Sequence, residues 1–159
     1  MSDVNPYSAP DAALESQQGA LYRPQIFSFK GRIGRLRYLA YGIGVSMLLM
    51  FLAGIFMSLT AGFGHADGMA DAALPGLGMM ALIGIVSIVV TIMYGKRRFN
   101  DLNRSGWWSL LLLIPYVQLL PVIYLVFFPG TEGSNEYGPP PVKNSIGVLI
   151  LGWMMPALM

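Results

Sequence analysis

Long apolar runs separated by short charged segments are the dominant pattern of this chain. Lys, Arg, Asp and Glu are all absent from residues 38–65, 72–95 and 107–130. Each run exceeds the roughly 20 residues that an α-helix needs to cross a hydrocarbon core about 30 Å thick. The pattern therefore predicts three transmembrane helices, at about residues 36–60, 77–94 and 107–128.

The composition agrees with a membrane protein. Hydrophobic residues make up 55% of the chain and charged residues 11%, whereas soluble domains carry about 25% charged residues. We expect an all-α fold, an integral membrane helical bundle with three transmembrane helices. The apolar residues 144–159 are expected to add either a partial segment or a fourth membrane helix. The first run starts too late in the chain and is too long for a cleavable export signal, so we expect a retained anchor.

The distribution of basic residues predicts the orientation in the membrane. Nine of the ten Lys and Arg residues lie before the first run or between the second and third, and only Lys143 lies elsewhere. Basic residues close to spanning segments stay on the cytoplasmic side. We therefore expect residues 1–26 to be a disordered cytoplasmic tail, the loop at 61–76 to be external, and the loop at 95–106 to be cytoplasmic.

The third run contains two prolines, which leaves two interpretations. Pro115 and Pro121 each lack a backbone donor and crowd the preceding turn. A kinked transmembrane helix is the favoured interpretation, because membrane helices tolerate proline when neighbouring groups satisfy the freed carbonyls. The alternative is a re-entrant hairpin that turns within residues 114–121 and brings residues 129–141 back beside the loop at residues 95–106, which we call the basic loop.

Three motifs in order carry a resemblance to a known family. They are FSFKGRIGRLRYL at residues 27–39, KRRFNDLNRSGWWSLLLLIP at 96–115 and PGTEGSNEYGP at 129–139. Together they resemble domain of unknown function 805, a family of small bacterial inner-membrane proteins. The resemblance implies a helical inner-membrane domain over residues 27–143 and no particular activity. Where the family commonly has histidine this chain has Asn100, which argues against proton transfer at that position.

The basic loop has a complete structural explanation. Asp101 is spaced three or four residues from Arg97, Arg98 and Arg104, so guanidinium groups can flank its carboxylate and organise the loop. Ser105 is expected to cap the helix that follows. Trp107 and Trp108 are expected to anchor the interface between the bilayer and water.

The same loop also fits a binding site for anionic lipid headgroups. Arginine suits bidentate contact with phosphate, and anionic lipids attract basic residues close to the membrane. The candidate contacts are Arg32, Arg35, Arg97, Arg98 and Arg104.

Small residues four apart predict close helix packing on the first two helices. This packing can hold the bundle together or form a homo-oligomer or a docking face for a membrane-protein partner. The external segment at residues 129–141 is expected to be a compact turn built on two glycines and fastened by two polar side chains. The helix-packing residues are Ala40, Gly44, Gly54, Ser58, Ser87, Thr91 and Gly95, and the turn residues are Gly133, Asn135, Tyr137 and Gly138.

These patterns favour a membrane component without enzymatic activity. The only histidine, His65, lies in the external loop, where His65, Asp67 and Asp71 are expected to be solvated and not to hold a metal. We expect no cofactor and no nucleic-acid partner, because the basic stretches are short and lie against the membrane. The leading hypothesis is a protein that packs with itself or a partner and contacts anionic phospholipid. The alternative is a small transporter or channel for an uncharged or lipid-like solute.

Overall fold

A computed structural model describes residues 22–63 and 69–157. Most of the predicted disordered tail, and His65 and Asp67 of the predicted external loop, lie outside the described residues. The described part is helical and contains no β-strand beyond isolated bridges. Its elements are α1 (Arg35–Phe63), α2 (Met69–Asp101), a 3₁₀ helix (Gly106–Leu113), α3 (Leu119–Phe127) and α4 (Ile146–Ala157).

The helices α1 and α2 are the two helices of the described residues that are long and apolar enough to cross a membrane. They contain 29 and 33 residues, which corresponds to lengths of about 43 and 50 Å. Their apolar side chains are largely exposed, as in Met50 at 75% and Leu77 at 64%. Exposure of this kind separates them from the buried core helix of a soluble protein and suits contact with lipid.

The third apolar run forms a hairpin, so the favoured prediction of a kinked transmembrane helix is wrong. The 3₁₀ helix ends at Leu113, and α3 runs back from residue 119. The two halves have eight and nine residues, and lengths of about 13 to 16 Å cannot cross a hydrocarbon core about 30 Å thick. The chain then returns to the end of α2, where the amide of Thr131 donates to the carbonyl of Asp101 at 2.8 Å.

Local chemistry explains why this run turns. Pro115 contributes no backbone donor, and Tyr116 has a φ of 68°, in the left-handed region. The amide of Gln118 donates to the carbonyl of Ile114 at 3.0 Å and closes the turn. Pro121 falls in the first turn of α3, where an amide has no partner within the helix. Both prolines therefore occupy positions where the missing donor costs little.

The C-terminal apolar segment forms α4, which is a partial segment and not a fourth span. Its 12 residues reach about 18 Å, and it packs along the start of α1. A Cβ added to Gly152 would lie 2.9 Å from the carbonyl oxygen of Leu36. The glycine therefore allows the two backbones to approach closely.

The buried side chains gather at one end of the molecule. One apolar cluster contains Phe99, Leu102, Leu112 and Leu125, and a second contains Ile33, Met93 and Tyr94. Both clusters lie around the last two turns of α2, which contain Lys96, Arg97, Arg98 and Asp101. The core of the described residues therefore lies under the basic loop and leaves most of α1 and α2 for the surrounding lipid.

The predicted packing residues divide into two groups. Ala40 is 1% exposed, and a Cβ on Gly95 would lie 2.4 Å from Cδ1 of Leu112, so these two positions do allow close packing. Gly54 and Ser58 are exposed on α1, and the prediction that they pack within the bundle is wrong for the described chain. The others are partly buried, namely Gly44, Ser87 and Thr91.

Candidate functional site

An ion-pair cluster surrounds Asp101, the last residue of α2. Oδ1 of Asp101 accepts from Nε of Arg32 at 3.1 Å, and Oδ2 accepts from Nη1 of Arg98. All three residues are at most 3% exposed. Charge-assisted hydrogen bonds of this kind are roughly twice as strong as neutral ones. Because both carboxylate oxygens are engaged, Asp101 acts here as a structural anion.

Arg32 links the segment before α1 to the loop at residues 130–138, which follows the hairpin and which we call the returning loop. Its Nη1 donates to the carbonyls of Gly133 and Gly138 at 2.7 and 3.1 Å. Its Nη2 donates to the carbonyl and the Oγ1 of Thr131 at 2.6 and 3.0 Å. With the bond from Nε to Asp101, every N–H group of this buried guanidinium has an acceptor. Arg32 therefore holds three chain segments in one arrangement.

Arg98 joins the same carboxylate to the hairpin. Its Nε donates to the carbonyl of Leu125 at 2.8 Å, and its Nη2 donates to the carbonyl of Phe128. These carbonyls lie at the C-terminal end of α3, where the last four carbonyls of a helix have no partner within the helix and carry partial negative charge. Arg98 therefore caps α3 and fixes the returning half of the hairpin against α2.

Polar side chains fasten the returning loop at residues 130–138. Nδ2 of Asn135 donates to the carbonyl of Asn100 at 2.9 Å and to Oγ1 of Thr131 at 2.8 Å, and Oδ1 accepts from the amide of Tyr137. Gly133 and Gly138 have φ values of 71° and 119°, which non-glycine residues rarely adopt. The predicted glycine turn and the predicted fastening by Asn135 are confirmed, whereas Tyr137 takes part through its backbone amide and the role of its side chain stays a prediction. The predicted position of this loop, on the side of the membrane opposite the basic loop, is wrong, because the loop contacts the end of α2.

Two further arginines are buried beside the cluster. Arg97 is 0% exposed, and its Nη1 donates to the carbonyls of Gln25 and Ile26 at 2.7 and 3.4 Å. Arg37 is 5% exposed, and its Nη2 donates to the carbonyl of Lys143 at 2.8 Å. Backbone carbonyls therefore accept from one nitrogen of each guanidinium group, whereas Nε and Nη2 of Arg97 and Nη1 of Arg37 have no partner among the described residues.

The structure changes the role of most predicted lipid contacts. Arg32, Arg97 and Arg98 lie inside the protein, which contradicts their prediction as headgroup contacts, since hydrogen bonds to the chain itself hold their guanidinium groups. Arg35 and Arg104 remain exposed. Arg104 follows the end of α2 and makes no ion pair with Asp101 among the described residues.

Ser105, which follows the cluster, has its predicted local role. Oγ of Ser105 accepts from the amide of Trp107 at 3.4 Å, so Ser105 caps the 3₁₀ helix as predicted. Trp107 and Trp108 are 79% and 56% exposed, and their role as interfacial anchors stays a prediction. Sequence reasoning missed Arg37 and Thr131, because most of their partners belong to segments distant in sequence that only the tertiary structure brings close.

All ten basic residues lie at this end of the molecule, which we call the basic end. The amide of Ile33 donates to the carbonyl of Arg97 at 3.4 Å, which joins the start of α1 to the end of α2. The hairpin brings Lys143 to the same place, where its carbonyl meets Arg37. The positions are Arg23, Lys30, Arg32, Arg35, Arg37, Lys96, Arg97, Arg98, Arg104 and Lys143.

The exposed charges of the basic end remain positive overall. Among the described residues, Glu132 and Glu136 are exposed acids at this end. Lys96 is half-buried, and five further Lys and Arg side chains are exposed. These exposed cations are Arg23, Lys30, Arg35, Arg104 and Lys143.

Within the described residues, no three His, Cys, Asp or Glu side chains gather as metal ligands. A cavity of about 610 Å³ lies beside the cluster, between the segment before α1, the end of α2 and the 3₁₀ helix. Lys30, Lys96 and Trp107 contribute to its wall. The basic end therefore combines a rigid buried scaffold with an open recess that carries positive charge.

Comparison with known proteins supports a membrane assignment. The model of the family described as "Protein of unknown function (DUF805)" matches residues 26–139. The chain is 32% identical to the inner membrane protein YhaH of Escherichia coli K12 over 113 residues, which cover 71% of this chain and 86% of YhaH. It is 41% identical to the inner membrane protein YhaI of the same strain over 74 residues, covering 45% of this chain and 59% of YhaI. No solved structure matches the chain. With its apolar helices and these relatives, the chain belongs to the DUF805 family of inner-membrane proteins.

Proposed function

We propose that this protein is a non-enzymatic component of the bacterial inner membrane that engages anionic lipid headgroups through its basic end, with that end in the cytoplasm. The observation that carries the proposal is the gathering of every Lys and Arg residue at one end of two long apolar helices. Basic residues flanking transmembrane segments favour the cytoplasmic side. Anionic lipid in that leaflet attracts each exposed basic residue near the surface by about 1 kcal/mol.

The available charges differ from those that the sequence indicated. Burial removes Arg32, Arg97 and Arg98 from contact with headgroups. The same end carries five exposed cations, the half-buried Lys96 and two exposed glutamates. The net positive charge that remains supports attraction to anionic lipid, whereas the buried arginines shape the surface that presents it.

A structural role for Asp101 supports the non-enzymatic part of the proposal. Its two oxygens are occupied by Arg32 and Arg98, so a catalytic role as a base would require these ion pairs to break. No catalytic step is proposed for any described residue.

Packing with itself or with a membrane partner is the second part of the proposal. Gly54 and Ser58 form a small-residue strip on α1 that the described chain leaves exposed. In lipid, strips of small residues allow two helices to approach closely. This strip supports association of α1 with another membrane helix.

Native mass spectrometry of protein extracted from phosphatidylglycerol-containing bilayers tests the lipid part. We expect retained phosphatidylglycerol to fall when Arg35, Arg104 and Lys143 are together replaced by Gln. The control replaces Glu132 and Glu136 by Gln and should retain at least as much lipid. Unchanged retention in the cation variant would contradict the proposal. Flux of an uncharged solute through liposomes that contain the protein would instead favour the transporter alternative.

A further inference from the structure

The cavity at the basic end is lined by both basic and apolar side chains. Lys30 from the segment before α1 and Lys96 from α2 contribute the cationic part, and Ile92, Trp107 and Leu110 contribute the apolar part. Its volume of about 610 Å³ falls in the usual range of ligand pockets, about 300 to 1,000 Å³. A ligand that suits this recess carries an anionic group attached to an apolar chain.

The local structure holds Lys96 and Asn100 in the cavity wall. A Cβ on Gly106 would lie 2.4 Å from Cγ of Lys96, so the lysine stem packs on this glycine. Asn100 lies one helical turn after Lys96, is 4% exposed, and lines the same cavity. Its Oδ1 has no hydrogen-bond partner among the described residues. A buried acceptor without a donor is unfavourable, and the Arg32, Arg98 and Asp101 cluster does not use it.

The geometry points to this cavity as a binding site for one anionic phospholipid. Lys30 and Lys96 bind the phosphate, with Asn100 in the cavity wall beside them, and the acyl chain lies along Ile92, Leu110 and Trp107. The apolar wall favours a lipid over free phosphate, because free phosphate leaves that surface uncovered. The inference rests on the proposed function and adds to it one selective lipid contact at two lysines, beside the general attraction that the other exposed cations exert on anionic lipid.

Quenching of Trp107 fluorescence by brominated lipid tests the site. The variant Trp108→Phe/Trp153→Phe leaves Trp107 as the single tryptophan of the three. It is reconstituted in phosphatidylcholine nanodiscs with a few per cent of either brominated phosphatidylglycerol or brominated phosphatidylcholine. We expect half-maximal quenching at a mole fraction at least about fivefold lower for phosphatidylglycerol, the ratio that corresponds to about 1 kcal/mol for one basic residue.

Charge variants in this background separate the site from general attraction. Lys96→Gln and Lys30→Gln should each remove most of the preference for phosphatidylglycerol, and Lys96→Arg should keep it. Lys143→Gln removes one exposed charge of the same end outside the cavity and should leave the preference intact. Circular dichroism and elution profile identify any variant that fails to fold. Because Lys30 is exposed, Lys30→Gln should fold normally, and it tests the site even if Lys96→Gln does not fold.

Three results would overturn the site. Equal quenching by the two brominated lipids in the parent excludes a selective contact at Trp107. An equal loss of preference in Lys143→Gln and Lys96→Gln assigns the selectivity to the whole basic end, which preserves the proposed function while rejecting the cavity. Displacement of brominated phosphatidylglycerol by millimolar inorganic phosphate shows a phosphate site without a lipid requirement.

Discussion

Nε of Arg32 lies 3.1 Å from Oδ1 of Asp101, although the two residues are 69 positions apart in the chain. The contact joins the segment before α1 to the last residue of α2. Through Thr131 and Gly133, the same guanidinium also holds the returning loop. Three segments that are distant in sequence thus depend on one buried ion pair, and the first prediction concerns its removal.

Asp101→Asn should destabilise the protein strongly. The substitution leaves the buried guanidinium groups of Arg32 and Arg98 without their counter-charge, and loss of one partner of a buried ion pair costs about 3 to 5 kcal/mol. Thermal unfolding in detergent measures the change. Glu132→Gln, an exposed acid of the same end, is the matched control and should stay within about 0.5 kcal/mol. Equal stability of the two variants would show that the cluster has no structural role.

Arg98→Lys should also destabilise the hairpin despite the conserved charge. A single ammonium cannot reproduce the donors that Arg98 directs to Asp101, Leu125 and Phe128. We expect a loss of about 1 to 3 kcal/mol, since at least one buried acceptor stays unpaired. The control is Arg104→Lys, because Arg104 is exposed and should tolerate the exchange. Chemical unfolding of both variants compares them, and a neutral Arg98→Lys would refute the capping role.

Gly95→Ala should disturb the contact between α2 and the 3₁₀ helix. The added Cβ would lie 2.4 Å from Cδ1 of Leu112 and 3.2 Å from Cβ of Ser109, and overpacking of this kind costs about 1 to 3 kcal/mol. Gly84→Ala in the same helix is the control, because a Cβ there meets nothing within 4 Å. We expect Leu112→Ala to reduce the additional cost of Gly95→Ala in a double-mutant cycle of unfolding free energies. If the two substitutions instead have additive effects on the unfolding free energy, the strain does not arise from contact between residue 95 and Leu112.

The hairpin places the basic loop and the returning loop on the same side of the membrane. The chain has no cysteine, so single substitutions Arg104→Cys and Ser134→Cys report each loop without background. Both should react with an impermeant maleimide in inside-out vesicles and stay unlabelled in intact spheroplasts. Ala66→Cys, in the loop expected to be external, should show the opposite pattern. Labelling of residues 104 and 134 from opposite sides of the membrane would contradict the hairpin and support a kinked transmembrane helix.

The family and much of the local chemistry could be anticipated from sequence. The resemblance rested on three ordered motifs, and the family model matches residues 26–139. The pairing of Arg98 with Asp101 follows from their spacing of three on a helix. The left-handed turns at Gly133 and Gly138 follow from the conformational freedom of glycine.

What the sequence by itself determined is the class of the protein, two long apolar helices and the clustering of most basic residues near one side of the membrane. These features depend on hydropathy and charge along a continuous segment, so no distant contact enters them. Only the tertiary structure decided that residues 106–127 form a hairpin and that Lys143 joins the basic end. It also decided that Arg32, Arg97 and Arg98 are buried. A guanidinium bound to lipid and one bound to the backbone look alike in sequence, because the acceptors that distinguish them belong to segments brought together only when the chain turns back on itself.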